Sequence, residues 1–131
     1  METRKTNILI VENNPWDAYL LRETFKDHAN GEFNLIRESG LTGAFERMAV
    51  EKIDLTILDL YLPETSGLET LQRVRNFDPG MPVIVLTSHF SAELASKARE
   101  MGASFCLPKD RPEMVALVKG LRENVSAKAD L

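Results

Sequence analysis

A small set of polar residues in this sequence has the types and spacing to do chemistry together. Glu12 and Asn13 follow the apolar run NILIV, and Asp59 lies inside the run LTILDL. Thr87 and Ser88 close the run PVIVL, and Lys109 follows the short segment SFCL and Pro108. Two carboxylates, an amide, a hydroxyl and an ammonium in one pocket would suit Mg²⁺, which takes few protein carboxylates and keeps several waters. A lysine beside a carboxylate at such a site can neutralise an incoming phosphoryl group. A charge inside an apolar strand is costly without a partner, so Asp59 is the most telling of the set. Each residue also has an ordinary structural explanation. Asp59 can cap the loop after its strand, Thr87 can be structural, Lys109 can be solvated, and Glu12-Asn13 can be a turn. Their joint placement at strand ends carries the argument.

The elements that must position these residues alternate. Asn7 to Val11, Leu55 to Leu60 and Pro82 to Leu86 are short, branched, nearly continuous apolar runs, which marks buried strands. Glu32 to Arg37 and Ser104 to Leu107 are weaker strands. Between them lie amphipathic helical patterns. One starts at Asn14-Pro15-Trp16-Asp17, a cap, a first-position proline and an acid in the first turn, and closes at Asn30-Gly31. A second spans Ser39 to Val50. A third follows a capping box with Ser66 as cap and Glu69 reaching back, and Asp78-Pro79-Gly80 ends it. Ser91 caps a fourth that Gly102 terminates, and Asp110 to Glu113 opens a fifth in capping-box form. Five strand–helix units imply an α/β fold, a doubly wound parallel sheet covered on both faces. In such sheets ligands bind beyond the carboxyl ends of the strands, at the switch point, which is where the polar set falls.

Composition narrows the function classes. The 131 residues fit one domain, with 44% hydrophobic content sufficient for a core. Net charge is −4 and neither end carries a basic run, which argues against a direct nucleic-acid footprint. One cysteine, Cys106, precludes an internal disulfide and a cysteine zinc site. No apolar stretch approaches the roughly 20 residues of a membrane span, and Met1 to Thr6 lacks a signal-peptide core. The expectation is a soluble cytoplasmic protein, with one domain over residues 1–124 and a frayed C-terminal tail over 125–131.

The blocks ILIVENNP, LTILDLYLPETSGLETL, VIVLTS and FCLPKD resemble those of bacterial response-regulator receivers, in the same order and at the same separations. The resemblance runs from about Asn7 to about Asn124. It implies a chemotaxis-regulator-like (βα)₅ flavodoxin-like sheet of order 2-1-3-4-5. It also implies a single-domain regulator in two-component or phosphorelay signalling, not an enzyme, with Asp59 as phosphoacceptor. Glu12 and Asn13 occupy the acidic-pair positions, the Tyr61 backbone carbonyl completes a Mg²⁺ site, Thr87 is the switch hydroxyl and Lys109 pairs with the phosphoryl group. The implied partners are a sensor histidine kinase or histidine phosphotransfer protein, and a downstream protein on the face of the fourth helix, fifth strand and fifth helix. The fold allows a homodimer. Tyr61 and His89, two residues beyond Asp59 and Thr87, would overhang the acyl phosphate and hinder the in-line approach of water.

The sequence departs from the family pattern at residue 13, usually Asp, and at Cys106, usually aromatic; Lys109 is followed by Asp110 where proline is common. The first two departures favour an alternative, a pseudo-receiver that contacts proteins without phosphorylation. An aspartyl-nucleophile phosphatase would commonly need an acid two residues beyond Asp59, where Tyr61 stands. A flavin-binding protein would need a Ser/Thr/Gly-rich phosphate loop where Glu12-Asn13 stands. Replacing a charge by an amide a few ångströms from a divalent ion costs on the order of 1–4 kcal/mol, roughly tenfold to several-hundredfold in affinity. Asn13→Asp should therefore tighten Mg²⁺ binding by about that factor, read by Mg²⁺ titration of Trp16 fluorescence. An unchanged midpoint would remove residue 13 from the metal site.

Overall fold

Strand and helix alternate along the whole computed structural model, which describes residues 5–29 and 31–129. The order is β1 (Thr6–Val11), α1 (Pro15–Ala29), β2 (Phe33–Glu38), α2 (Leu41–Val50) and β3 (Leu55–Leu58). It continues with α3 (Leu68–Phe77), β4 (Val83–Thr87), α4 (Ala92–Glu100), β5 (Phe105–Pro108) and α5 (Arg111–Ala129). All strand pairs are parallel, and the sheet order is β2-β1-β3-β4-β5, as expected.

The side-chain period of two explains why the central strands are apolar at successive positions. Ile8, Ile10, Ile57, Ile84 and Leu86 pack with Leu21 and Phe25 of α1 and Met114 and Val118 of α5. Leu9, Val11, Leu58, Val83 and Val85 face the other way, onto Leu41 of α2, Leu71 and Val74 of α3 and Ala98 of α4. Each fully buried aliphatic side chain contributes about 1.5–3 kcal/mol relative to exposure, so the two half-cores hold the sheet rigid between them. The edge strands β2 and β5 are only partly buried and carry the weaker patterns.

Parallel pairing places every strand's carboxyl end on one rim. The direction of winding switches at β1 and β3, and the crevice there lies between Val11 and Leu58 at their paired ends. The ladder continues one step past both strands. The Glu12 N–H donates to the Glu38 carbonyl and the Asp59 N–H to the Val11 carbonyl, each at 3.0 Å. Asp59 thus stands just beyond β3, not inside it as the apolar run implied, yet its backbone is held as firmly as a strand residue. Pro108 ends β5 opposite Thr87, on the edge strand where its missing N–H costs no ladder bond.

Most helix starts follow the sequence. The Asn14 Oδ1 accepts from the N–H groups of Trp16 and Asp17, Ser91 Oγ from Leu94, and Asp110 Oδ1 from Glu113. The expected box at Ser66 does not form. α3 is capped by Gly67, at φ 67° and ψ −149°, with no side-chain cap. That loop is held by buried threonines instead: Thr70 Oγ1 donates to the Leu60 carbonyl at 2.7 Å and shares a 2.6 Å hydrogen bond with Thr65. Of the Asn30-Gly31 stop, Gly31 has the expected positive φ and Asn30 lies outside the described residues. α5 runs on to Ala129, into the 125–131 segment where a frayed tail was expected, and residues 130–131 lie outside the described residues.

An added Cβ at Gly67 would meet nothing within 4 Å, so any cost of substitution is backbone strain alone. Gly67→Ala should lower folding stability by about 1–3 kcal/mol, seen as a reduced urea midpoint with unchanged slope.

Candidate functional site

Beyond the rim formed by β1, β3 and β5, three acidic side chains converge on one ammonium. Lys109 Nζ lies 2.6 Å from Glu12 Oε1, 3.0 Å from Asp17 Oδ2 and 3.1 Å from Asp59 Oδ2. The Lys109, Glu12 and Asp59 side chains are each at most 8% exposed, so these charges are held out of water and depend on one another. Asp17, at 28%, closes the cluster toward solvent. An ammonium has three protons, and here each has a carboxylate to meet.

The backbone fixes where these groups stand. Lys109 N–H donates to the Thr87 carbonyl at 3.0 Å, extending the β4–β5 ladder. Glu12 Oε2 accepts from the Asn14 N–H at 3.1 Å, tying the acid to the start of α1. The Arg37 guanidinium from β2 donates to the carbonyls of Glu12 and Asn13, holding the β1–α1 turn from beneath. Asp59 Oδ1 accepts from the Tyr61 N–H at 3.1 Å, while its other oxygen faces Lys109.

The electrostatics follow from burial. Glu12 is pushed up to about 7, first by desolvation and then by its hydrogen bond to Asp59, against the lowering effect of Lys109. Desolvation would lower Lys109, but hydrogen bonds to Glu12 and Asp17 and the charges of Asp59 and Glu12 outweigh it, so its pKa rises and the ammonium stays charged. Burial is thus the main reason Glu12 is raised, and the neighbouring Asp59 adds to it. Hard oxygen donors in such a pocket fit Mg²⁺. Among the described residues no group of three or more acidic, His or Cys side chains is arranged as a metal cage, so an ion here would keep much of its water.

Of the residues singled out in the sequence, Glu12, Asp59 and Lys109 are brought into direct contact. Thr87 is fully buried on the adjoining strand, and its Oγ1 accepts from the His89 N–H at 3.0 Å. Asn13 is exposed and meets Arg37 through its backbone, and its amide is not among the groups around Lys109. The Tyr61 and His89 rings meet with centroids 4.2 Å apart, so the loops after β3 and β4 are bridged at the rim. Cys106 is buried beside Val85 among the residues facing α4, where burial pushes its thiol up. Asp17, Arg37, Thr65 and Thr70 were not identified from the sequence. Asp17 was visible as a first-turn acid, but nothing local announces a partner 92 residues away.

The response regulator receiver domain model matches residues 8–119. Among curated proteins, the sporulation initiation phosphotransferase F of Bacillus subtilis (strain 168) is 31% identical over 86% of this chain and 90% of its own length. The transcriptional regulatory protein GlrR of Escherichia coli (strain K12) is 32% identical over 83% of this chain but only 24% of its own, so the chain spans about a quarter of that relative. The signal receiver domain of a protein assigned as a Luxo repressor from Vibrio parahaemolyticus superposes with a TM-score of 0.74. It is 26% identical, and the match covers 95% of this chain and 97% of that one.

Glu12 also sets a pH dependence. Its folded pKa lies above the ordinary 4.5, so protonation favours the folded state. That stabilisation is fully present below about 4.5 and is lost as pH rises through about 7. With EDTA present, the urea midpoint should fall from about pH 5 to about pH 8, and Glu12→Gln should flatten that slope.

Proposed function

The chain belongs to the response-regulator receiver family, and from that premise we propose that Asp59 is its phosphoacceptor. Receivers of this family serve two-component and phosphorelay signalling. They exchange phosphoryl groups with histidine kinases or phosphotransfer proteins, act on downstream targets and typically bind Mg²⁺. The observation that carries the assignment is the buried cluster of Asp59, Glu12 and Lys109 at the switch point of the sheet.

In this reading a phosphohistidine of a sensor kinase or histidine phosphotransfer protein, or a small acyl phosphate, presents its phosphorus in line with an Asp59 oxygen. The new P–O bond forms as the bond to the donor breaks, and the electron pair leaves on the donor's nitrogen or carboxylate oxygen. Mg²⁺ held by Glu12, Asp59, the Asn13 side chain and the Tyr61 carbonyl would supply positive charge at the phosphoryl oxygens. Lys109, already charged and within reach of Asp59, pairs with a phosphoryl oxygen as the Asp59 charge is consumed in the acyl phosphate. Thr87 then exchanges its hydrogen bond from the His89 N–H for one to the phosphoryl group. That exchange moves the loop after β4 and repacks the surface of α4, β5 and α5, where a downstream protein reads the state. Because Cys106 is small, the change passes through this loop and α4 without an aromatic side chain swinging at β5. Tyr61 and His89, whose rings meet at the rim, would hinder the in-line approach of water and slow hydrolysis of the acyl phosphate. Cytoplasmic residence fits such partners, and no helix among the described residues is long and apolar enough to cross a membrane.

The test is intact mass after incubation with acetyl phosphate and Mg²⁺. The wild-type chain should gain one phosphoryl group, and Asp59→Asn, with folding checked by circular dichroism, should gain none. Undiminished labelling of the variant would overturn the assignment. No labelling of the wild-type chain by acetyl phosphate or by phosphohistidine donors would leave a protein-contact role.

A further inference from the structure

Asp17 lies outside every motif that identified the family, yet its Oδ2 accepts a hydrogen bond from the Lys109 ammonium at 3.0 Å. From this geometry we infer that Asp17 is a positioning residue for phosphoryl transfer, holding the Lys109 ammonium in place while Glu12 and Asp59 are otherwise engaged. The inference rests on the assignment of Asp59 and Lys109 above.

The three partners of Lys109 differ in what the reaction asks of them. Glu12 and Asp59 are the carboxylates that a divalent cation would draw on, and Asp59 becomes an acyl phosphate during transfer. Both would loosen their hold on Nζ when it must meet a phosphoryl oxygen. Asp17 has neither duty. It projects from the first turn of α1, where its own N–H is capped by Asn14 Oδ1 at 3.2 Å, so its backbone position is set independently of the pocket. Its carboxylate lies 3.0 Å from Nζ, and the pair ties α1 to the loop after β5 across 92 residues. A lysine carries a flexible four-carbon stem with considerable rotamer freedom. An ammonium released by two of its three partners would sample that freedom unless the third held it. Asp17 is also the most solvent-exposed of the three acids, at 28%, and stands on the outer side of the cluster, so it stays available throughout the cycle.

The experiment follows acetyl phosphate uptake by the full chain across a Mg²⁺ titration, for wild type, Asp17→Asn and Asp17→Glu. The side-chain ammonium resonance of Lys109 is recorded by ¹H–¹⁵N NMR without donor. Asp17→Asn keeps the shape and the helix start but removes the charge. Its uptake rate at saturating Mg²⁺ should fall roughly three- to tenfold, the size expected when a partly exposed ion pair that orients a reacting group is lost. The Mg²⁺ half-saturation should move much less than the rate, the Lys109 ammonium protons should exchange faster with water, and Asp17→Glu should recover part of both losses. A shifted half-saturation with an unchanged saturating rate would overturn the inference, because Asp17 would then act on the metal's field and not on the lysine. Identical uptake by wild type and Asp17→Asn would also overturn it while leaving the Asp59 assignment intact. A wild-type chain that takes up no phosphoryl group from any donor would overturn the assignment, and this inference with it.

Discussion

The ammonium of Lys109 is the constraint on which the acidic rim depends. Three carboxylates within 3.1 Å of one another's partner would repel strongly in a pocket shielded from water, and one cation reconciles them. The balance is incomplete. Burial and the proximity of Asp59 raise Glu12 even with Lys109 present, so one ammonium does not fully offset the acids gathered around it. On the proposed reading such a cluster would take up a divalent cation. It also keeps Asp59 close to a positive charge that can follow a phosphoryl group. A site that is electrostatically unsatisfied at rest is prepared for chemistry that brings further positive charge with it.

This arrangement survives because the scaffold beneath it is stiff. Two half-cores, one on each face of the sheet, clamp β1 and β3 from both sides. The backbone ladder then carries that rigidity one residue past each strand, to Glu12 and Asp59, and from β4 to Lys109. Stability and reactivity are thereby kept in separate layers: the apolar residues stabilise the sheet, and the polar residues stand at its edge. The charge of the site falls on loops that are themselves pinned, the first by Arg37 and the second by the Thr65–Thr70 pair.

The two departures from the family pattern act on different parts of the cycle. Asn13 is exposed, and on the proposed reading it would bear on how strongly a divalent ion is held. Cys106 lies in the packed layer facing α4 and bears on how a change at Thr87 spreads. On the proposed reading a small side chain there would leave the loop between Thr87 and Ser91 as the moving part, and that loop is tied to the one after β3 by the Tyr61–His89 ring contact. Any displacement of Thr87 must therefore be shared with, or break, that contact.

The sequence by itself determined the architecture, because buried parallel strands must be apolar on both faces and helices must present one apolar stripe, and both patterns are local. It also determined which polar residues stand at strand ends, and so Glu12, Asp59, Thr87 and Lys109 were legible together. Helix caps at Asn14, Ser91 and Asp110 were legible for the same reason, since a cap bonds within its own turn. The Ser66 cap was misread because serine and glycine compete for one turn there. The outcome depends on the backbone direction that Thr65 and Thr70 impose from the layer below. Only the tertiary structure decided that Asp17 and Arg37 belong to the site. Their partners come from other elements, 92 residues away for Asp17 and 25 for Arg37. No local pattern encodes such a meeting; it arises when the sheet order sets α1 beside the end of β5 and β2 beneath the first turn.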